Sequence, residues 1–256
     1  MGCSVSPSLI SAGREILEAQ ITETIARKVL ETVDAGLCKG KGEPVPGSMC
    51  VEAAVVYALG LPHSDDPKCV SRALRELKIR LNDSNWSSNQ ARAKGLRRLA
   101  LIQLGTAGAI DDKEFARRVA ELAIRKSVPL ALRAAASIQK DAHHANALRD
   151  AALLCERDGD ESSARKARAA AYAADADAAV DAAAAAYAAY AADAAAYAAA
   201  YAAAAAESAA DSAESAAYAA RDKSLADFAE GIVQILIEMK SPGAHWLALT
   251  EQETAP

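Results

Sequence analysis

Apolar residues recur at helical spacing through most of the chain, and no run alternates as a half-buried strand does. From Ser8 to Ala35 they fall at Ile10, Leu17, Ile21, Ile25, Val29 and Val33, with Pro7 before and Gly36 after, which predicts a long amphipathic helix. Met49 to Leu59 is apolar on nearly every side and predicts a short buried helix ending at Gly60. Asp65-Asp66-Pro67 predicts a capped start for the next helix, whose inner face is Val70, Leu74, Leu77 and Leu81. Ser87-Ser88-Asn89-Gln90 reads as a capping box before Leu96, Leu99, Ile102 and Leu104, with Gly105 as the stop. Further starts lie at Asp111, Pro129 and Asp141, and Asp158-Gly159-Asp160 is a break. The pattern predicts an all-α fold: a head of about six short helices in residues 1–157, a helical stalk in 158–240 and a tail in 241–256.

The stalk is dominated by Ala169 to Ala220, where alanine is interrupted almost only by Tyr, Asp, Glu and Ser. Alanine has the highest helix propensity, so this composition predicts helix before any tertiary contact is considered. With Tyr187 at heptad position a, Tyr201 is also a, and Tyr190, Tyr197 and Tyr218 are d. The register continues through Leu225, Ile232 and Met239 at d and Leu236 at a, and it weakens at Ser208, Asp211, Ser215 and Asp222. A seam of this period predicts a coiled-coil-like helix that joins copies of the chain through its tyrosines. Unbroken from Glu161 to Lys240, it would span about 120 Å at the helical rise per residue. A helical hairpin folded back on the head is the alternative.

Charge is divided along the chain. Residues 67–133 hold fifteen Lys and Arg against six acids, whereas residues 169–222 hold one Arg against eight acids. Such segregation predicts that the two regions dock on each other, within or between chains, or that the basic region meets an anionic partner. A net charge of -5 and a pI near 5.5 argue against duplex nucleic acid. No apolar run reaches the roughly 20 residues of a membrane span, and the expectation is a soluble protein of the cytoplasm. Five cysteines without C-x-x-C spacing argue against a disulfide framework. Met1-Gly2-Cys3-Ser4-Val5-Ser6 matches an N-myristoylation pattern, which has meaning only in a eukaryotic cytosol.

Two stretches carry a resemblance: Gly47-Ser48-Met49-Cys50-Val51-Glu52-Ala53-Ala54-Val55-Val56-Tyr57-Ala58-Leu59-Gly60 and Ser64-Asp65-Asp66-Pro67-Lys68-Cys69-Val70. With the aromatic-punctuated alanine tract, they resemble a family of proteins from bacteria and tailed phages. That family has a Cys-Val-x-Glu-Ala helix, a Ser-Asp-x-Pro-x-Cys-Val turn and alanine repeats broken by Trp or Tyr. The resemblance covers residues 47–105 and the style of the repeats. It implies a phage or bacterial setting, with the host cytoplasm as location, and implies no particular chemistry.

Candidate chemistry is sparse. Cys50 and Glu52 near a helix start, with His63 or Asp65 folded back, are the parts of a Cys-dependent hydrolase. A buried cysteine and an acid favoured by the helix dipole explain the same residues without catalysis. Cys50, His63, Asp65 and Cys69 match no common zinc spacing, and no metal or cofactor is expected. The basic set is the stronger lead. Arg72, Arg75 and Lys78 recur every three residues, Arg92, Lys94, Arg97 and Arg98 follow, and Asn82, Asn85 and Trp86 lie between. Guanidinium forks, amides and an indole are what a nucleotide pocket needs, so Arg72, Arg75, Lys78, Asn82, Trp86, Arg92, Arg97 and Arg98 are the candidate ligand residues. Ordinary outer-face charges, or pairs with the acidic stalk, are the competing explanation. The resulting expectation is a non-enzymatic, homo-oligomeric helical protein that sequesters a small nucleotide-type signalling ligand in phage–host conflict. A structural or protein-interaction module with the stalk as spacer is the rival.

Overall fold

The computed structural model describes residues 21–191, 201, 204–209 and 217–252. The N-myristoylation pattern, the first half of the predicted N-terminal helix and Tyr197 lie outside them. The described chain is helical, with one isolated bridge between Gly42 and Met49 and no strand among the described residues.

The helices are α1 (Glu23–Asp34), α2 (Val51–Ala58), α3 (Arg72–Asp83), α4 (Asn89–Ile102), α5 (Asp112–Leu122), α6 (Val128–Ile138) and α7 (Ala142–Asp158). They continue as α8 (Glu161–Ala173), α9 (Asp177–Ala191), α10 (Ala217–Glu238) and α11 (Leu249–Gln252). A π-helical turn (Ala123–Ser127) joins α5 to α6, a 3-10 segment (Pro242–Ala248) precedes α11, and residues 204–209 are also helical. There are thus more head helices than the six expected, because α1 to α7 all precede Gly159.

Local chemistry explains most of the starts. Asp111 and Asp141 each accept two backbone N–H bonds as N-caps, Ser88 accepts from Ala91, and Gly159 closes α7 in the left-handed conformation. The start of α3 differs from the expectation. Residues 67–70 form a turn, and the N-cap is Ser71, whose hydroxyl accepts from Leu74 N–H (3.2 Å). Its own N–H donates to Thr106 Oγ1 (3.0 Å), so a tertiary bond selects this cap over Asp66.

The alanine tract does not run as one rod. α8 ends at Ala173, and Asp175 takes a positive φ of 49°, a conformation that Asp tolerates better than most side chains. The freed Ala174 carbonyl accepts from Nε2 of Gln139, the residue that caps the end of α6 (2.8 Å). α9 then packs on α8, α6 and α5. The buried positions are Ala164, Ala167 and Ala171 on α8 and Ala179, Ala183 and Ala186 on α9, so the small side chains serve close packing inside one chain. The heptad seam of α10 is likewise internal: Leu225, Ile232 and Leu236 are fully buried, and α10 lies along α4 and against α5. One hydrophobic cluster runs from Ala26 to Leu249 and continues past residues 157 and 240.

Basic residues of the head pair with acids further along the chain, one of them, Glu207, within the acidic stretch. Arg80 pairs with Glu207 (3.5 Å), Arg98 with Glu230 (3.1 Å) and Arg118 with Glu238 (3.0 Å). No helix among the described residues is long and apolar enough to cross a membrane.

Candidate functional site

The expected basic pocket is not assembled; its members are distributed to three kinds of place. Lys78, Asn82 and Arg92 lie inside the head. Lys78 Nζ sits 2.8 Å from Glu52 Oε1, and both side chains are fully buried. Burial pushes the Glu52 carboxyl up and the Lys78 ammonium down, and their mutual attraction opposes both shifts. Lys78 is the cation in direct contact with the Glu52 carboxylate. Nearby, Asn82 Oδ1 accepts from Val51 N–H (3.2 Å) at the start of α2, and its amide donates to the Cys38 carbonyl (2.9 Å). Arg92 donates to the carbonyls of Asn82 (2.7 Å) and Leu37 (2.8 Å). These three residues tie α2, α3 and α4 together, and Asn82 borders a small cavity of about 20 Å³ that Glu52 also lines.

The second group is on the surface but committed elsewhere. Arg75 contacts Asp65 (3.2 Å), Asp66 (3.5 Å) and Glu76 (3.1 Å). Arg97 makes a two-pronged pair with Asp34 (2.7 and 3.0 Å) and donates to the Thr250 carbonyl (3.0 Å). Arg72 is exposed at the start of α3.

The residues of the nucleophile reading have structural contacts of their own. Cys50 is the N-cap of α2 and its sulfur accepts from Ala53 N–H (3.4 Å). Burial, reinforced by the Glu52 charge, pushes its thiol up to about 11, so almost no thiolate exists at neutral pH. His63 is spent on the Gly42 carbonyl, to which its Nε2 donates (2.9 Å). Among the described residues no group of three or more His, Cys, Asp or Glu could hold a metal ion. Cys50 in the folded protein is therefore expected to resist iodoacetamide at neutral pH, as mass spectrometry of the digested protein would show. Rapid labelling of Cys50 would return the hydrolase reading to contention.

Trp86 and Arg98, the third group, meet at a groove of about 570 Å³ between α4 and α10. Its α4 side is Ala91, Lys94, Gly95 and Arg98, and its α10 side is Asp222, Lys223, Ala226, Asp227 and Glu230, with Trp86 at the floor. Trp86 is 7% exposed, and its indole N–H donates to the Leu81 carbonyl (2.9 Å). The ring lies on Gly95, where an added Cβ would stand 2.4 Å from a ring carbon. Asp222 accepts from Ser87 N–H (2.9 Å) and from the Ser87 hydroxyl, fixing α10 to the turn that carries Trp86. The α10 residues of the groove are absent from the sequence-derived set because they lie more than a hundred residues from Trp86. One signal was present: Asp222 is a charge at an a position of the heptad seam.

The tyrosines are divided too. Tyr187 is half-buried with the Arg165 guanidinium 5.7 Å from its ring centre, Tyr201 and Tyr218 are exposed, and the side chain of Tyr190 lies outside the described set. Compared with protein-family models, with curated proteins and with solved structures, the chain matches none.

Proposed function

We propose that the chain is a non-enzymatic helical binding protein that holds a small nucleotide-type ligand in the groove between α4 and α10. The observation that supports this reading is the groove itself. Its volume of about 570 Å³ falls within the roughly 300–1,000 Å³ range of small-molecule sites. It combines the edge of an indole with the cations Lys94, Arg98 and Lys223. In a bacterial host cytoplasm, the setting that the sequence resemblance implies, such a protein acts by sequestration and needs no catalytic group.

Titration calorimetry against a panel of cyclic and linear nucleotides tests this. Lys94→Ala should weaken binding about tenfold, the equivalent of about 1.4 kcal/mol for one charge-assisted contact. Arg75→Ala and Arg97→Ala should leave it unchanged, because their guanidinium groups serve Asp65 and Asp34. Absence of binding to the whole panel, or equal losses at all three positions, would remove the groove from consideration.

Self-association through the tyrosines belongs to the same proposal. Tyr201 and Tyr218 are 45% and 68% exposed, and the Tyr218 ring also carries the Arg221 guanidinium 5.1 Å from its centre, so both present surface to a second copy. Light scattering should show an oligomer that dissociates in a Tyr201→Ala/Tyr218→Ala variant; a monomer at all concentrations would dispose of it. The spacer role is less supported, since α8 and α9 lie on the head.

A further inference from the structure

We infer that the groove between α4 and α10 recognises a ring bearing a single anionic group, and that Lys94 is the residue that reads it. The inference rests on the binding reading above and sharpens it. Six charged side chains line the groove, three of each sign. Five have partners: Arg98 pairs with Glu230 (3.1 Å), Lys223 with Asp227, and Asp222 accepts from Ser87. Lys94 is exposed and makes no ion pair among the described residues. A ligand anion at Lys94 therefore breaks no existing contact, whereas an anion elsewhere on the rim displaces a carboxylate or lies beside one.

The same arithmetic sets an upper limit on ligand charge. Once Lys94 is neutralised, a second phosphate meets a rim that is balanced or negative, and like charges within a few ångströms oppose binding. Trp86 has already given its N–H to Leu81, so it offers apolar ring surface and no donor. Ala91, Gly95 and Ala226 complete an apolar floor without bulk. A planar ring against this floor with one phosphate or carboxylate reaching Lys94 fits these constraints; a nucleoside monophosphate, cyclic or open, is the representative class.

The test is a matched series of the common nucleosides and their mono-, di- and triphosphates, titrated calorimetrically into the full-length protein. At least one monophosphate should bind about tenfold or more tightly than its nucleoside, with less than about threefold gained from each further phosphate. Lys94→Gln should bring that monophosphate to the nucleoside level and leave the nucleoside unchanged, with the helical circular dichroism intact. Asp227→Asn, which removes a carboxylate and frees Lys223, should improve the diphosphate more than the monophosphate. Affinity climbing about tenfold with every phosphate would overturn the single-anion reading while leaving a binding groove in place. So would equal losses of nucleoside and monophosphate in Lys94→Gln. Failure of the entire series to bind would overturn the binding reading and this inference together.

Discussion

Lys78→Ala is expected to lower the free energy of unfolding by about 3–5 kcal/mol, the usual cost of leaving one member of a buried ion pair without its partner. Glu52 would then be a fully buried carboxyl without the cation that contacts it. That is a large part of the stability of an ordinary domain. Urea titration followed by circular dichroism measures it directly. The direction with pH follows from the Glu52 shift. Burial raises its folded pKa, so its stability contribution is greatest in acid and is lost as the pH rises through that raised value. Without the ammonium the carboxyl moves further up, so the deficit of Lys78→Ala should shrink as the pH falls from neutral into the acid range. The double replacement Glu52→Leu/Lys78→Met should recover most of the loss, because two apolar side chains of similar volume need no desolvation of charge. A cost below about 1 kcal/mol for Lys78→Ala would mean that water reaches the pair.

This pair was legible in part. On α3, Lys78 lies one turn from Leu74 and from Leu81, inside the apolar stripe rather than beside it, and Glu52 is an acid in an otherwise apolar helix. Two opposite charges on faces that must be buried announce each other. The three-residue spacing of Arg72, Arg75 and Lys78 points instead to an outer basic stripe, and spacing alone does not say which stripe faces inward. Caps are local and mostly readable: Asp111, Asp141 and Gly159 stand where the pattern requires, whereas the cap of α4 falls on Ser88, one residue past the start of the expected capping box, because Ser87 bonds Asp222 and Gln90 donates to the Ala35 carbonyl. Ser71 was not, since the bond that selects it comes from Thr106, far along the chain. The alanine tract marks the other limit. Helix propensity accounts for the helix in its described parts, but the break at Asp175 is met by a hydrogen bond from Gln139, and the small face of α9 is used against α6 and α8. The groove was half visible, through Trp86 and Arg98, because its other wall comes from α10.

Trp86→Ala should cost about 3–5 kcal/mol, as removal of a buried indole does, and the partner mutation shows what the ring rests on. A methyl at Gly95 would meet the ring at 2.4 and 2.5 Å, well inside contact distance, so Gly95→Ala should cost about 1–3 kcal/mol by overpacking, despite the higher helix propensity of alanine. In the double variant Trp86→Ala/Gly95→Ala the clash is gone, and the new methyl occupies part of the space that the indole leaves. The combined loss should therefore fall short of the sum of the single losses by about 1–3 kcal/mol, a coupling of the size found for residues in contact. Additive losses would mean that the indole does not lie on Gly95, and the groove would then lack the floor assigned to it. The functional readout follows the same geometry. Gly95→Ala moves the ring without removing any charge, so it should weaken nucleoside and nucleoside monophosphate equally, whereas Lys94→Gln affects only the monophosphate. These opposite patterns separate the apolar floor from the anion contact, and both follow from Trp86 lying across Gly95 while Lys94 stands exposed one residue away.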